Sequence, residues 1–190
     1  MLLYAASGLT FTAGLQLPMK LLVLLLPCLL GFSNALGQKL TCNCEAVVEY
    51  KHRYAVPIFD KPSGKIMHQV KHNLKEEDFL AMNIDREQSG FFHGRIFYAI
   101  AGKSYCGWVR KSAWLGTYAR AYGKEKLALY RAPALSAPAS AHVPGPVPGL
   151  LPIRHCAGGW IYVQLIYRGR TYEGWLPPAM QCANSYTTCN

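Results

Sequence analysis

Acidic residues are scarce in this chain: ten Asp and Glu stand against twenty Lys and Arg in 190 residues, a formal net charge of +10. The excess favours solubility and anionic surfaces, but the cations are spread along the sequence. With no basic stripe carrying interleaved aromatics, a strand-binding groove for nucleic acid is excluded. Long apolar runs are missing too. The longest, over 21–30, is well short of the about 20 residues a membrane-spanning helix needs, so no transmembrane anchor is expected in the mature chain. A sustained helical period is also absent, which argues against a helical layer. Metal-ligand spacing is lacking: Cys42-Asn43-Cys44 leaves one residue between its cysteines where zinc pairs want two to four, and the six histidines are scattered singly. Gly102-Lys103-Ser104 has no glycine-spaced turn before it, so it reads as a hairpin tip and not a phosphate loop. Neither metal nor cofactor is expected.

What is present begins with a targeting pattern. Met19-Lys20 precedes the apolar stretch 21–30, and the small-residue region Gly31 to Gly37 follows, in the order of a charged start, an apolar core and a cleavage site. The expected cut precedes Gln38, with Leu36 as the rival, and the uncharged residues 1–18 point to Met19 as the true start. Residues 1–37 are therefore assigned to a signal segment, and the product to the periplasm or the extracellular side of a cell envelope.

Removal of that segment leaves six cysteines, Cys42, Cys44, Cys106, Cys156, Cys182 and Cys189. An even count in an exported chain predicts disulfides, with 15 connectivities open. Cys182 and Cys189 flank a short polar tail and form the best single pair. Either Cys42 or Cys44 could reach Cys106, and a bridge from the other to Cys156 would clamp two halves of the chain.

Those halves emerge when the sequence is read against itself. Gly102-Lys103-Ser104-Tyr105-Cys106-Gly107-Trp108-Val109 answers Gly169-Arg170-Thr171-Tyr172-Glu173-Gly174-Trp175-Leu176, alike at seven of eight positions. Upstream, Pro57-Ile58-Phe59 and Pro62 answer Ala128-Leu129-Tyr130 and Pro133. Between these landmarks, 92–100 and 160–166 are equivalent apolar segments that differ by one inserted residue. The elements are short, aromatic and β-branched, bounded by Gly, Pro or Asn, as strands are. The run 160–166 is almost continuously apolar, as a strand buried on both faces would be, and Trp160 is expected in the core. The stretch 115–126 reads as a linker with a boundary near Ala121. Residues 63–78 and the proline-rich 132–152 read as long variable loops, and Glu76-Glu77-Asp78 as a solvated charge run.

An apolar-aromatic strand ending in proline, a long loop, an aromatic-led strand and a hairpin closing on Gly107-Trp108-Val109 or Gly174-Trp175-Leu176 resemble the bacterial SH3-like domains. With its Cys-Asn-Cys opening and its cysteine-bearing end, the chain is similar to exported SH3-domain proteins of Bacteroidota. The first copy departs more, since Phe91-Phe92 stands where a tryptophan is usual. The resemblance implies an all-β protein: two small SH3-like β-barrels in tandem after the signal segment, over 38–120 and 121–190. It further implies a non-catalytic binding or adaptor role toward a cell-envelope peptide, glycopeptide or protein partner. Alternation sends Tyr105 and Trp108 to opposite faces, so one member of each Tyr-x-x-Trp pair can line a groove. The groove candidates are Tyr105, Trp108, Tyr130, Tyr172 and Trp175. Two alternatives stand beside this reading. One is a secreted inhibitor-like protein acting through its divergent loops. The other is a cell-wall hydrolase, for which no domain-sized stretch remains. His155-Cys156, the one adjacent pair of those types, reads as a disulfide cysteine beside a surface histidine and not as a catalytic couple.

Overall fold

A computed structural model describes residues 41–184 except 122, 124 and 148. The signal segment, both candidate starts and Cys189 lie outside the described residues. Thirteen strands account for the architecture: β1 (Cys44–Val48), β2 (Val56–Phe59), β3 (Ile66–Val70), β4 (Leu80–Gln88), β5 (Phe91–Tyr98), β6 (Ser104–Arg110), β7 (Leu115–Ala119), β8 (Leu127–Tyr130), β9 (Ala139–Val143), β10 (Leu151–Ala157), β11 (Trp160–Tyr167), β12 (Arg170–Leu176) and β13 (Gln181–Cys182). One three-residue 3-10 turn, Pro178–Met180, precedes β13. The protein is all-β, and its strands pair antiparallel in one continuous network, in the order β3-β2-β6-β5-β4-β1-β7-β10-β11-β12-β8-β9, with β13 on β7.

The order β3-β2-β6-β5-β4 recurs as β9-β8-β12-β11-β10. Its irregularities recur with it. The ladder is interrupted between Ile58 and Phe59 and again between Leu129 and Tyr130, and also between Ile84 and Arg86 and between Ile153 and His155. Bulges re-aim side chains at fixed places, so their repetition carries the same outward and inward pattern into both copies. Tyr98 and Tyr167, at the ends of β5 and β11, donate their hydroxyls to Lys71 O (2.9 Å) and Pro146 O (3.0 Å), tying the equivalent connections down alike.

Gly-Trp has a steric cause in both copies. β2 crosses β6 at Phe59 opposite Trp108, and β8 crosses β12 at Tyr130 opposite Trp175. A Cβ at Gly107 would stand 2.6 Å from Ile58 Cγ2 and 2.8 Å from Phe59 O, and one at Gly174 would meet Tyr130 O at 2.9 Å. Only glycine lets the crossing strand approach so closely. The β11–β12 hairpin turns through Arg168 and Gly169, both at positive φ (50° and 75°), the conformation a two-residue hairpin demands.

Several expectations need correction. The stretch 115–126 is not a linker at its start: β7 is buried along most of its length and pairs with β1, β10 and β13. The loops over 63–78 and 132–152 each contain a strand, β3 and β9, and β10 already begins at Leu151. β11 alternates buried and exposed positions and so is covered on one face only, with Trp160 half-exposed on the other. The copies differ by two residues, not one, and the difference sits in the hairpin tip: Phe97 pairs Ser104 in the first, Ile166 pairs Thr171 in the second. Phe91 therefore occupies the place of Trp160. Asp78 is not solvated but 1% exposed, its carboxylate accepting the backbone N–H groups of Ile100 (2.8 Å) and Ala101 (2.9 Å).

Buried side chains of both copies form one core, with Ile58, Met82, Phe92 and Ile96 from the first and Leu129, Ile153, Ile161 and Leu176 from the second. β1, buried at four of its five positions, joins β4 to β7 and so stitches the halves together. The join is also covalent. Cys44 and Cys156, 112 residues apart, form a disulfide across it with a Cα–Cα distance of 6.1 Å. Of the two bridges expected from the paired cysteines, the clamp to Cys156 is present and the one to Cys106 is not: Cys106 is an exposed thiol on β6, and Cys42 is a half-buried thiol. Cys182 is oxidised, and its expected partner Cys189 is outside the described residues.

Candidate functional site

Register converts the repeated frame into a repeated surface. In the second copy His155 on β10 stands opposite Tyr162 on β11, Tyr162 opposite Trp175 on β12, and Trp175 opposite Tyr130 on β8. In the first, Arg86 on β4 faces His93 on β5, His93 faces Trp108 on β6, and Trp108 faces Phe59 on β2. Each copy thus carries one transverse row over four neighbouring strands, three aromatic rings ending in a nitrogen-bearing side chain. Cross-strand neighbours on one face are close enough to touch. They do so as edge-to-face rings, the geometry aromatic quadrupoles favour: Tyr162–Trp175 at 5.5 Å and His155–Tyr162 at 5.8 Å, against His93–Trp108 at 5.1 Å. A further ring caps the far end of each, with Trp160 on Tyr130 (5.6 Å) and Phe91 on Phe59 (5.5 Å).

The row residues Trp108, Tyr130, Tyr162 and Trp175 are all half-buried, with one side on the sheet and one toward solvent. Tyr105 and Tyr172 are also half-buried, but they turn to the other face and pack on the core. The alternation argument separates the five groove candidates accordingly: Trp108, Tyr130 and Trp175 lie on the rows, Tyr105 and Tyr172 do not. Sequence reasoning missed Phe59, Phe91, His93, Arg86, Tyr162 and the outward placement of Trp160. A signal for Tyr162 existed, because a two-residue tip at 168–169 fixes which residue faces Trp175.

The rows differ in chemistry. The first is ionic at its β4 end: His93 Nδ1 is 2.6 Å from the Asp85 carboxylate and 3.1 Å from Arg86 Nη2, while the Arg86 guanidinium sits 5.9 Å from the Trp108 ring centroid. In the second, burial and then the Glu173 carboxylate raise the Tyr162 hydroxyl above the usual phenol range, leaving it a neutral donor at physiological pH.

Between the β4 and β10 ends lies a charged knot. Glu87 takes Lys111 Nζ at 3.1 Å, His155 Nδ1 at 3.0 Å and the Cys156 N–H at 3.2 Å, and Lys111 also donates to Arg154 O at 2.6 Å. Burial pushes the Glu87 carboxyl up, but hydrogen bonds from His155 and Lys111 outweigh it and hold the group below the ordinary glutamate range. Beside the knot, Cys42 donates its thiol to Cys156 O at 3.2 Å. Burial, and then the Glu87 charge, push that thiol up to about 11. It is protonated at neutral pH and therefore a poor nucleophile toward the adjoining disulfide. Among the described residues no group of three or more His, Cys, Asp or Glu is placed to hold a metal, and no helix is long and apolar enough to cross a membrane.

In geometry, then, the feature the two copies share is a pair of equivalent, partly exposed aromatic ladders, which can stack on flat apolar faces of a ligand while Arg86, His155 and the tyrosine hydroxyls supply hydrogen bonds at the ends. Set against known protein families, characterised proteins and solved structures, the chain matches none of them.

Proposed function

We propose that the mature chain is a non-catalytic, exported binding or adaptor protein built on two SH3-like barrels, each using its aromatic row to hold a cell-envelope peptide, glycopeptide or protein. The observation that carries this reading is the duplication of the row at equivalent register, Arg86-His93-Trp108-Phe59 and His155-Tyr162-Trp175-Tyr130, on a frame whose core does not require those side chains to face outward. Sugar rings and proline or aliphatic peptide segments present flat C–H faces that such rings stack on. Two rows on one rigid unit raise the effective concentration of the second contact for a repetitive ligand. The test is co-sedimentation of the mature protein with purified sacculi, together with capture of partners from a periplasmic extract. Retention should fall in Trp108→Ala and in Trp175→Ala, and fall further than either in the double variant. No retention at low salt on either material would remove the proposal.

A second reading is that of an inhibitor-like protein acting through the two divergent connections. It is favoured by one contrast: the β3–β4 connection is rich in charges of both signs, whereas its β9–β10 counterpart is uncharged and proline-rich. If it holds, deletion within 144–150, the β9–β10 connection, abolishes partner blocking and leaves sacculus retention intact.

A further inference from the structure

The first copy carries a cleft with basic walls. Three connections enclose about 610 Å³: the β1–β2 segment brings His52 and Arg53, the β3–β4 segment brings Lys71, Lys75 and Asp78, and the β5–β6 tip brings Lys103. That size is ordinary for a small-molecule site. Four cations thus converge on one cavity. Its single acid has both carboxylate oxygens engaged by the N–H groups of Ile100 and Ala101. None of the four cations takes part in the ion pairs found among the described residues, which fall instead on Arg86, His93, Lys111 and His155.

The walls are held in place. Asp78 ties the hairpin tip to the β3–β4 segment, and Asn73 and Asp78 close that segment by a mutual backbone bridge. Tyr98 holds Lys71 O, and His72 spans the cleft floor by donating Nε2–H to Glu49 O (3.0 Å) while its Nδ1 accepts the Leu80 N–H (3.0 Å). His52, stacked on Trp114 at 4.7 Å, keeps a buried Nε2 that has no hydrogen-bond partner among the described residues. A buried polar atom left unpaired costs free energy until something satisfies it.

We propose that this cleft is an anion site for a sugar-sized phosphate ester, with Arg53, Lys71, Lys75 and Lys103 neutralising the phosphates. A phosphate monoester carries about −1.5 to −2 charges, so four cations match a ligand with about two such groups. Soluble sugar phosphates and phosphorylated lipid headgroups share this chemistry. The site stands apart from the aromatic rows and does not depend on what they bind.

The experiment is calorimetric titration of the mature protein with fructose 1,6-bisphosphate, with fructose as the uncharged control. Vesicles of phosphatidylcholine, with and without phosphatidylinositol 4,5-bisphosphate, form a second arm. Binding of the bisphosphate, no binding of fructose, and an at least tenfold loss in Lys75→Ala/Lys103→Ala support the site. So does binding only to the phosphoinositide vesicles with the same loss, which identifies a headgroup as the source. The surface variant Arg168→Ala/Arg170→Ala carries the same charge change at the other hairpin tip and should bind as the parent does. Equal weakening in the two variants would mean diffuse attraction to a basic protein, and absence of binding in both arms would mean no site; either overturns the proposal. Unfolding midpoints of both variants, expected within a few degrees of the parent, separate loss of binding from loss of fold.

Discussion

Replacing Cys44 and Cys156 together by alanine tests how the two halves are held. The bridge closes 112 residues, and loop-closure entropy for that length amounts to about 5 kcal/mol of stabilisation through the unfolded state. Because single domains are stable by only about 5–15 kcal/mol, such a loss would consume much of the total. With a urea slope of about 2 kcal/mol/M, the midpoint should fall by about 2.5 M. The measurement is urea unfolding followed by tryptophan fluorescence on both proteins, with far-UV circular dichroism confirming that the variant starts folded. Cys44→Ala alone provides an internal comparison. Cys42 Sγ already lies 3.2 Å from Cys156 O, and a substitute Cys42–Cys156 bridge would close 114 residues at nearly the same entropy. The single variant should therefore lose far less than the double, with peptide mapping detecting the new bond. A double variant within about 1 kcal/mol of the parent would refute the reasoning: the β1–β7–β10 pairing would then hold the halves without covalent help.

Gly107→Ala should destabilise by about 1–3 kcal/mol, the usual range for overpacking, since the new Cβ would stand 2.6 Å from Ile58 Cγ2; unchanged thermal unfolding would mean β2 can shift away from β6. His72 is 5% exposed, and burial lowers its pKa from 6.5. The unfolded chain therefore takes up a proton below about 6.5 that the folded one refuses, and stability should decline as pH falls from there, by at most about 1.4 kcal/mol per pH unit. His72→Gln should flatten that limb, and an identical slope in the variant would exclude His72 as its source. Glu87 behaves as a depressed carboxylate: its contribution is complete above the ordinary glutamate pKa and is lost as pH falls through the lower, folded value. Glu87→Gln should thus lower stability at neutral pH and leave acid stability nearly unchanged, as chemical denaturation at both pH values would reveal.

The repeat was legible because its carriers are constrained locally: Gly107 and Gly174 by the crossing strand, Arg168–Gly169 by the hairpin twist. Alternation alone put Tyr172 and Trp175 on opposite faces, and the packing of Tyr172 on the core decides that Trp175 is the outward one. Its neighbours did not, since membership of a row depends on register between strands that lie far apart in sequence, such as β8 on β12, and on bulges that no composition signal marks. β3, β7 and β9 are hard to tell from connections because β-branched residues are few in them and Gly, Ser, Ala, His or Gln interrupt the pattern; pairing with partners decides their conformation. The buried Asp78 was hidden by its company, since Glu76-Glu77-Asp78 resembles any solvated run until the hairpin tip is seen to supply two N–H donors.

The ladders admit a bland alternative, that they are a second layer of packing in a small protein with many aromatic residues, and energetics separates the two. Phe92 is fully buried, so Phe92→Ala removes a whole ring from the core and should cost about 3–5 kcal/mol. Trp108 is half-buried, with His93 at its edge and Arg86 at its face, and solvent covers the remainder. An aromatic pair contributes about 0.5–1.5 kcal/mol beyond area and an exposed cation–π contact about 0.5–1. To these terms is added the area that the indole buries on the sheet, to which its solvent-facing part contributes nothing, so Trp108→Ala should cost less than Phe92→Ala in parallel denaturation curves, while it weakens ligand retention. If the two substitutions prove equally costly, the row is structure rather than surface, and the binding role assigned to it goes with it.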